Sequence, residues 1–156
     1  VNGDEGEDVI VFGGTGDGLD TVDGGSGSDT VRVDGTSNND TFRVSQDAQG
    51  LLTVSQATAM ITIDPSSVQT VIVNGLAGND FIGIDPIPRV GRIVIVVNGG
   101  FGNDILDAGW IDSGSAILIL NGEGGDGTSG SVRSGGSARQ PRSTSSTLPS
   151  SLRKGR

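Results

Sequence analysis

The chain has 156 residues, a net charge of −9, 28 glycines, one Trp, four Phe and no Tyr, Cys or His. That composition excludes an aromatic core, a disulfide framework, thiolate or imidazole metal sites and the usual general base of enzymes. No apolar run approaches the roughly 18 residues of a membrane-spanning helix, and glycine without a Gly-X-Y period points to a turn-dense repeat.

The charge is divided along the chain. All 19 acidic residues fall in 1–126 beside only four arginines, Arg32, Arg43, Arg89 and Arg92, which leaves fifteen excess negative charges there. The other six basic residues lie in 127–156, where no acid occurs. An acidic surface repels nucleic acid and anionic lipid, so neither is an expected partner of 1–126. A bound cation would relieve the repulsion.

Val1 stands inside a repeat, so the chain reads as a segment of a longer protein. Aligned on Asp, nonapeptides follow in order at 3–11 (GDEGEDVIV), 15–23 (TGDGLDTVD), 24–32 (GGSGSDTVR) and 35–43 (GTSNNDTFR). Two more stand at 75–83 (GLAGNDFIG) and 99–107 (GGFGNDILD), and a broken unit begins at Gly122. The frame is Gly-x-x-Gly-x-Asp-x-apolar-x. Its glycines enter left-handed turns that aim carbonyl oxygens inward, and the apolar residue after Asp opens a strand.

Successive equivalent turns recur at about 20–24 residues, the length of one coil of a stacked solenoid. Residues 44–72 carry no Asp turn but include the strand-like runs LLTVS, MITI and TVIV. They read as two coils without metal turns, with a hairpin through 46–50 as the competing reading. Asn74, Asn98 and Asn121 recur just before the glycine of each later unit and predict an amide ladder. Trp110 sits in a corner and reads as an exposed or capping residue rather than a sugar platform. Arg89 and Arg92 flank a Pro-rich corner and relieve acidic repulsion. FGGTGDG at 12–18 lacks the Lys-Ser/Thr and the helix of a phosphate loop. Residues 127–156, rich in Gly, Ser, Arg and Pro, are expected to be disordered.

One turn offers too few oxygens to hold a metal. Stacked turns converge six or more, the number calcium accepts in flexible geometry, whereas magnesium requires a tighter octahedron. The nonapeptides resemble the repeats-in-toxin (RTX, haemolysin-type) calcium-binding family, with consensus Gly-Gly-x-Gly-x-Asp-x-apolar-x. Units 24–32 and 99–107 match it in full; the others depart at a glycine, and the 20–24 spacing departs from the family's 18. The resemblance implies a parallel β-roll, secretion, and calcium held by Asp29, Asp104, Asp80, Asp8, Asp20 and Asp40. Turn glycines Gly24, Gly27, Gly75, Gly78, Gly99 and Gly102 would belong to those sites. A solenoid of simple Asp turns without metal is the alternative.

The expectation is therefore an all-β, right-handed parallel β-roll or β-helix solenoid over 1–126, followed by a disordered tail. Its expected work is calcium-dependent folding and stiffening within a larger secreted or surface protein, not catalysis. The competing roles are a metal-independent spacer or adhesin segment and, more remotely, a fragment of a carbohydrate-active β-helix. A cell-surface or matrix polysaccharide is the macromolecular partner considered. In the solenoid register Asp8 lies beside Asp29, Asp20 beside Asp40, and Asp80 beside Asp104.

Overall fold

A computed structural model describes residues 1–14, 18–88, 92–109 and 116–122. The expectations for Arg89, Trp110 and the tail 127–156 lie outside the described residues. The described residues are all-β, with no helix and two mostly parallel sheets. Among them, therefore, no helix is long and apolar enough to cross a membrane.

Strands form where β-branched and aliphatic residues alternate with small or polar ones, because successive side chains face opposite sides of a sheet. The run TVRVD shows the pattern, with Val31 and Val33 buried and Thr30, Arg32 and Asp34 half-buried. The five-stranded sheet comprises β1 (Val9–Gly13), β3 (Thr30–Asp34), β7 (Thr70–Asn74), β9 (Ile93–Asn98) and β11 (Ala116–Asn121), adjacent in that order. Every pairing in it is parallel. The six-stranded sheet runs β10 (Ile105–Ala108), β8 (Phe81–Ile84), β4 (Thr41–Gln46), β5 (Leu52–Gln56), β6 (Ala59–Ile63), β2 (Leu19–Val22). The inward rows of both sheets, among them Val31, Val71 and Ile95 of one and Phe42, Val44 and Ile82 of the other, make one hydrophobic core.

The region 44–72 differs from the two expected coils. Strand β4 turns back into β5, and β5 into β6, as two antiparallel pairings within the six-stranded sheet. Thr30 thus pairs directly with Thr70, one crossing of 40 residues rather than two. The hairpin through 46–50, the competing reading, is the one observed. Its cause is local. The Asp47 carboxylate accepts the N–H groups of Gln49 (2.9 Å) and Leu51 (2.8 Å), and Gly50 takes φ = 93°. Asp47→Ala removes both bonds and is expected to cost about 1 kcal/mol, measurable as a lower urea midpoint.

The inserted β5 and β6 also separate β2 from β4. Asp20 pairs with Ile61 on β6 and not with Asp40. It faces inward, half-buried, in the row that continues through Ile61, Val54 and Val44. The expected Asp20–Asp40 neighbourhood is thereby corrected: the motif matched locally, but a hairpin came between the strands.

Candidate functional site

Each Asp turn precedes a strand, so parallel pairing sets the turns of neighbouring strands side by side. Two polar ladders result. At the start of the five-stranded sheet, Asp29 Oδ1 accepts the N–H of Asp8 (3.0 Å), and Gln69 Oε1 accepts the N–H of Asp29 (2.6 Å). The next position in that row is Ile93, buried, which ends the series. At the start of the six-stranded sheet, Asp80 Oδ1 accepts the N–H of Asp40 (2.7 Å) and Asp104 Oδ1 the N–H of Asp80 (2.9 Å). Gln56 closes this ladder from β5, its amide donating to Asp40 Oδ1 (2.8 Å).

The Asp29, Asp80 and Asp104 carboxylates are therefore backbone acceptors that tie one turn to the next. Asp29, Asp40, Asp80 and Asp104 are all buried. Their second oxygens fold back under the first glycine of the same turn. A Cβ on Gly24 would stand 2.8 Å from Asp29 Oδ2, one on Gly35 2.7 Å from Asp40 Oδ2, and one on Gly99 2.5 Å from Asp104 Oδ2. On Gly75 it would collide with Asp80 Oδ2 and the Gly99 carbonyl. The first motif glycine thus leaves room for its own Asp.

The fourth glycine answers to a different constraint. Gly27, Gly78 and Gly102 hold φ between 132° and 139°, where L side chains are strained. Each also lies flat on the neighbouring turn, so that a Cβ would strike Gly6, Asn38 or Gly78 respectively. Backbone bonds close the stack, including Gly6 N–H to Ser26 O (2.9 Å), Ser26 N–H to Asp4 O (2.9 Å) and Phe101 N–H to Leu76 O (2.8 Å).

Two amide ladders run alongside. Asn39 Oδ1 accepts the N–H of Asn79 and Asn79 Oδ1 that of Asn103, both at 2.8 Å. At the last residues of the strands, Asn74, Asn98 and Asn121 each donate Nδ2 to the preceding side chain in the series Asp34–Asn74–Asn98–Asn121, at 2.6–2.7 Å. The amide ladder read from the sequence is present, extended by Asp34.

For calcium, the relevant observation is three orphaned oxygens. Among the described residues Asp8 Oδ2, Asp29 Oδ2 and Asp80 Oδ2 are buried without a hydrogen-bond partner, a state that is costly for a carboxylate. Asp40 differs, because Thr36 N–H (2.7 Å) and Thr36 Oγ1 (3.0 Å) reach its Oδ2. Burial, and then the carboxylates of Asp104 and Asp40, raise the Asp80 pKa against the lowering effect of the Asp40 N–H. The turn carbonyls of Asp4, Ser26 and Leu76 each accept one N–H group from the next turn. Among the described residues no cluster of three or more His, Cys, Asp or Glu is arranged to hold a metal.

The structure brings together Asp8 with Asp29, and Asp40 with Asp80 and Asp104, while Asp20 stands apart. Sequence reasoning missed Gln69 and Gln56. A signal for Gln69 existed: it precedes TVIV as Asp29 precedes TVRV. Compared with family models, curated proteins and solved structures, the chain matches none.

Proposed function

We propose that this chain is a stiff structural segment, a right-handed parallel β-solenoid of a larger secreted or surface protein, whose Gly-x-x-Gly-x-Asp turns lock successive coils together. One observation carries the reading. In the row Asp8–Asp29–Gln69 a neutral amide oxygen takes the place of a carboxylate and accepts the same backbone N–H, at 2.6 Å. A position that works with glutamine needs an acceptor, not a negative charge. On this reading the module is a spacer and catalyses nothing.

A second reading, calcium-dependent folding, is favoured by the orphaned Asp8, Asp29 and Asp80 oxygens and by the acidic excess. On it Asp8 and Asp29 in one ladder, and Asp40, Asp80 and Asp104 in the other, would hold separate ions, which would neutralise the ladders and stabilise only the folded chain. Circular dichroism separates the two. The spacer is expected to show its full β signal in chelator, with little change on adding calcium or magnesium. A chain unordered in chelator that gains β signal with calcium alone would replace the first reading by the second.

A further inference from the structure

Four Asn-Gly dipeptides stand in the chain, at 2–3, 74–75, 98–99 and 121–122. Asparagine is a labile residue, most of all before glycine. There the next backbone nitrogen can attack the side-chain amide with no Cβ to obstruct it. Two restraints oppose that attack: a hydrogen bond that holds the glycine N–H, and bonds that hold the carboxamide at both ends. The fold imposes both on three of the dipeptides and neither in full on the fourth.

Gly75 N–H donates to Asn98 O (2.8 Å) and Gly99 N–H to Asn121 O (2.8 Å), and both glycines are buried. The Asn74 carboxamide is held at its two ends, Nδ2 by Asp34 Oδ1 and Oδ1 by Asn98 Nδ2. Asn98 is held likewise between Asn74 and Asn121. Asn2 is exposed but equally restrained. Its Nδ2 donates to Asp4 Oδ1 (2.7 Å), its Oδ1 accepts the Asp4 N–H (3.3 Å), and Gly3 N–H donates to Asp23 O (3.0 Å).

Asn121 ends the amide series and keeps one bond, Nδ2 to Asn98 Oδ1 (2.7 Å). Among the described residues its Oδ1 has no donor and the Gly122 N–H has no acceptor. Both residues are exposed, and a Cβ placed on Gly122 would meet nothing within 4 Å.

We infer that the Asn121-Gly122 dipeptide is a site of spontaneous deamidation and isoaspartate formation, and that the hydrogen-bonded stack protects the other three. The Gly122 nitrogen gives up its proton to water or hydroxide and bonds to Asn121 Cγ. The Cγ–Nδ2 bond breaks, ammonia leaves with a proton taken from water, and a cyclic imide joins the two residues. Water then opens the ring. Attack at Cγ leaves an aspartate at position 121; attack at the main-chain carbonyl leaves isoaspartate, with the chain routed through Cβ and Cγ. The net change consumes one water and releases one ammonia, with no oxidation or reduction. Either product removes the donor from Asn98 Oδ1 and adds a negative charge at the end of β11. The chemistry is the same whether or not the turns hold an ion.

Incubation of the full chain at mildly alkaline pH, followed by fragment-ion mass spectrometry of its tryptic peptides, tests it. Asn121 is expected to gain the mass of an amide-to-acid exchange about tenfold or more faster than Asn2, Asn74 or Asn98. The product is expected to accept methyl groups from an isoaspartate-directed methyltransferase. In urea above the unfolding midpoint the four sites are expected to convert at similar rates, since only the fold distinguishes them. Gly122→Ala is expected to slow conversion at Asn121 by about tenfold, with an unchanged circular dichroism spectrum. Equal rates at Asn2 and Asn121 in the folded chain would show that exposure alone governs the chemistry and would overturn the inference. Asn74 or Asn98 converting as fast as Asn121 overturns it too. A spread of rates that persists in urea traces the difference to local sequence and is equally fatal.

Discussion

Gly102→Ala is expected to cost about 3 kcal/mol or more and to lower the melting temperature by ten degrees or so. Two independent penalties meet at that position. The backbone holds φ = 135°, and the new Cβ would fall on the Gly78 carbonyl of the neighbouring turn. Backbone of the stacked turn has little freedom to yield, because Gly78 N–H is itself bonded to Phe101 O at 2.9 Å. Gly13→Ala makes the comparison fair. A Cβ there meets nothing within 4 Å, and the residue lies at the end of β1 without a positive φ. It is expected to stay within about 0.5 kcal/mol of the parent. Equal losses at the two glycines would mean that the turns are not stacked as described.

The next largest effect belongs to Asp80. Asp80→Ala leaves the Asp40 N–H without its acceptor, whereas Asp80→Asn can present an amide oxygen in the same place. The alanine variant is therefore expected to be less stable than the asparagine variant by about 1–3 kcal/mol. The parent's pH dependence follows from the same geometry. Burial and the flanking carboxylates raise the Asp80 pKa above its ordinary 3.8, so the folded chain binds this proton more tightly than the unfolded one. The Asp80 contribution to stability consequently improves as pH falls from neutral through the raised pKa, and is complete below 3.8. Urea midpoints across that window check the sign, and Asp80→Asn is expected to remove this component.

Much of the architecture was legible in the residues because it depends on periodicity. Alternating runs such as TVRVD and IVIVVN marked strands, and the recurrence of Asp before each run set Asp8 beside Asp29 and Asp80 beside Asp104. The Asn74–Asn98–Asn121 series was legible for the same reason. What escaped was whatever breaks the period. The antiparallel excursion of β5 and β6 turns on local bonds, those of Asp47 and of Gln46 to the Gly50 carbonyl among them, and turn chemistry of that kind competes closely with a further parallel crossing. Once it forms, Asp20 loses Asp40 as a neighbour, although nothing in its own nonapeptide differs enough to say so. Gln69 and Gln56 were overlooked because the frame was read as a carboxylate motif. Gln69 accepts a backbone N–H where Asp29 accepts one, and Gln56 donates its amide to the end carboxylate of the other ladder, roles that an amide side chain fills outside a carboxylate motif.

The acceptor role of the turn carboxylates is tested most directly by the melting temperature of Asp80→Asn beside the parent, each in chelator and in about 5 mM calcium, above the usual affinity of extracellular sites. If the turn carboxylates act as acceptors within a metal-independent stack, the variant melts a few degrees above the parent in both buffers, and calcium moves the parent little. A parent whose melting temperature rises by ten degrees or more with calcium, and a variant that loses that rise, would contradict the account.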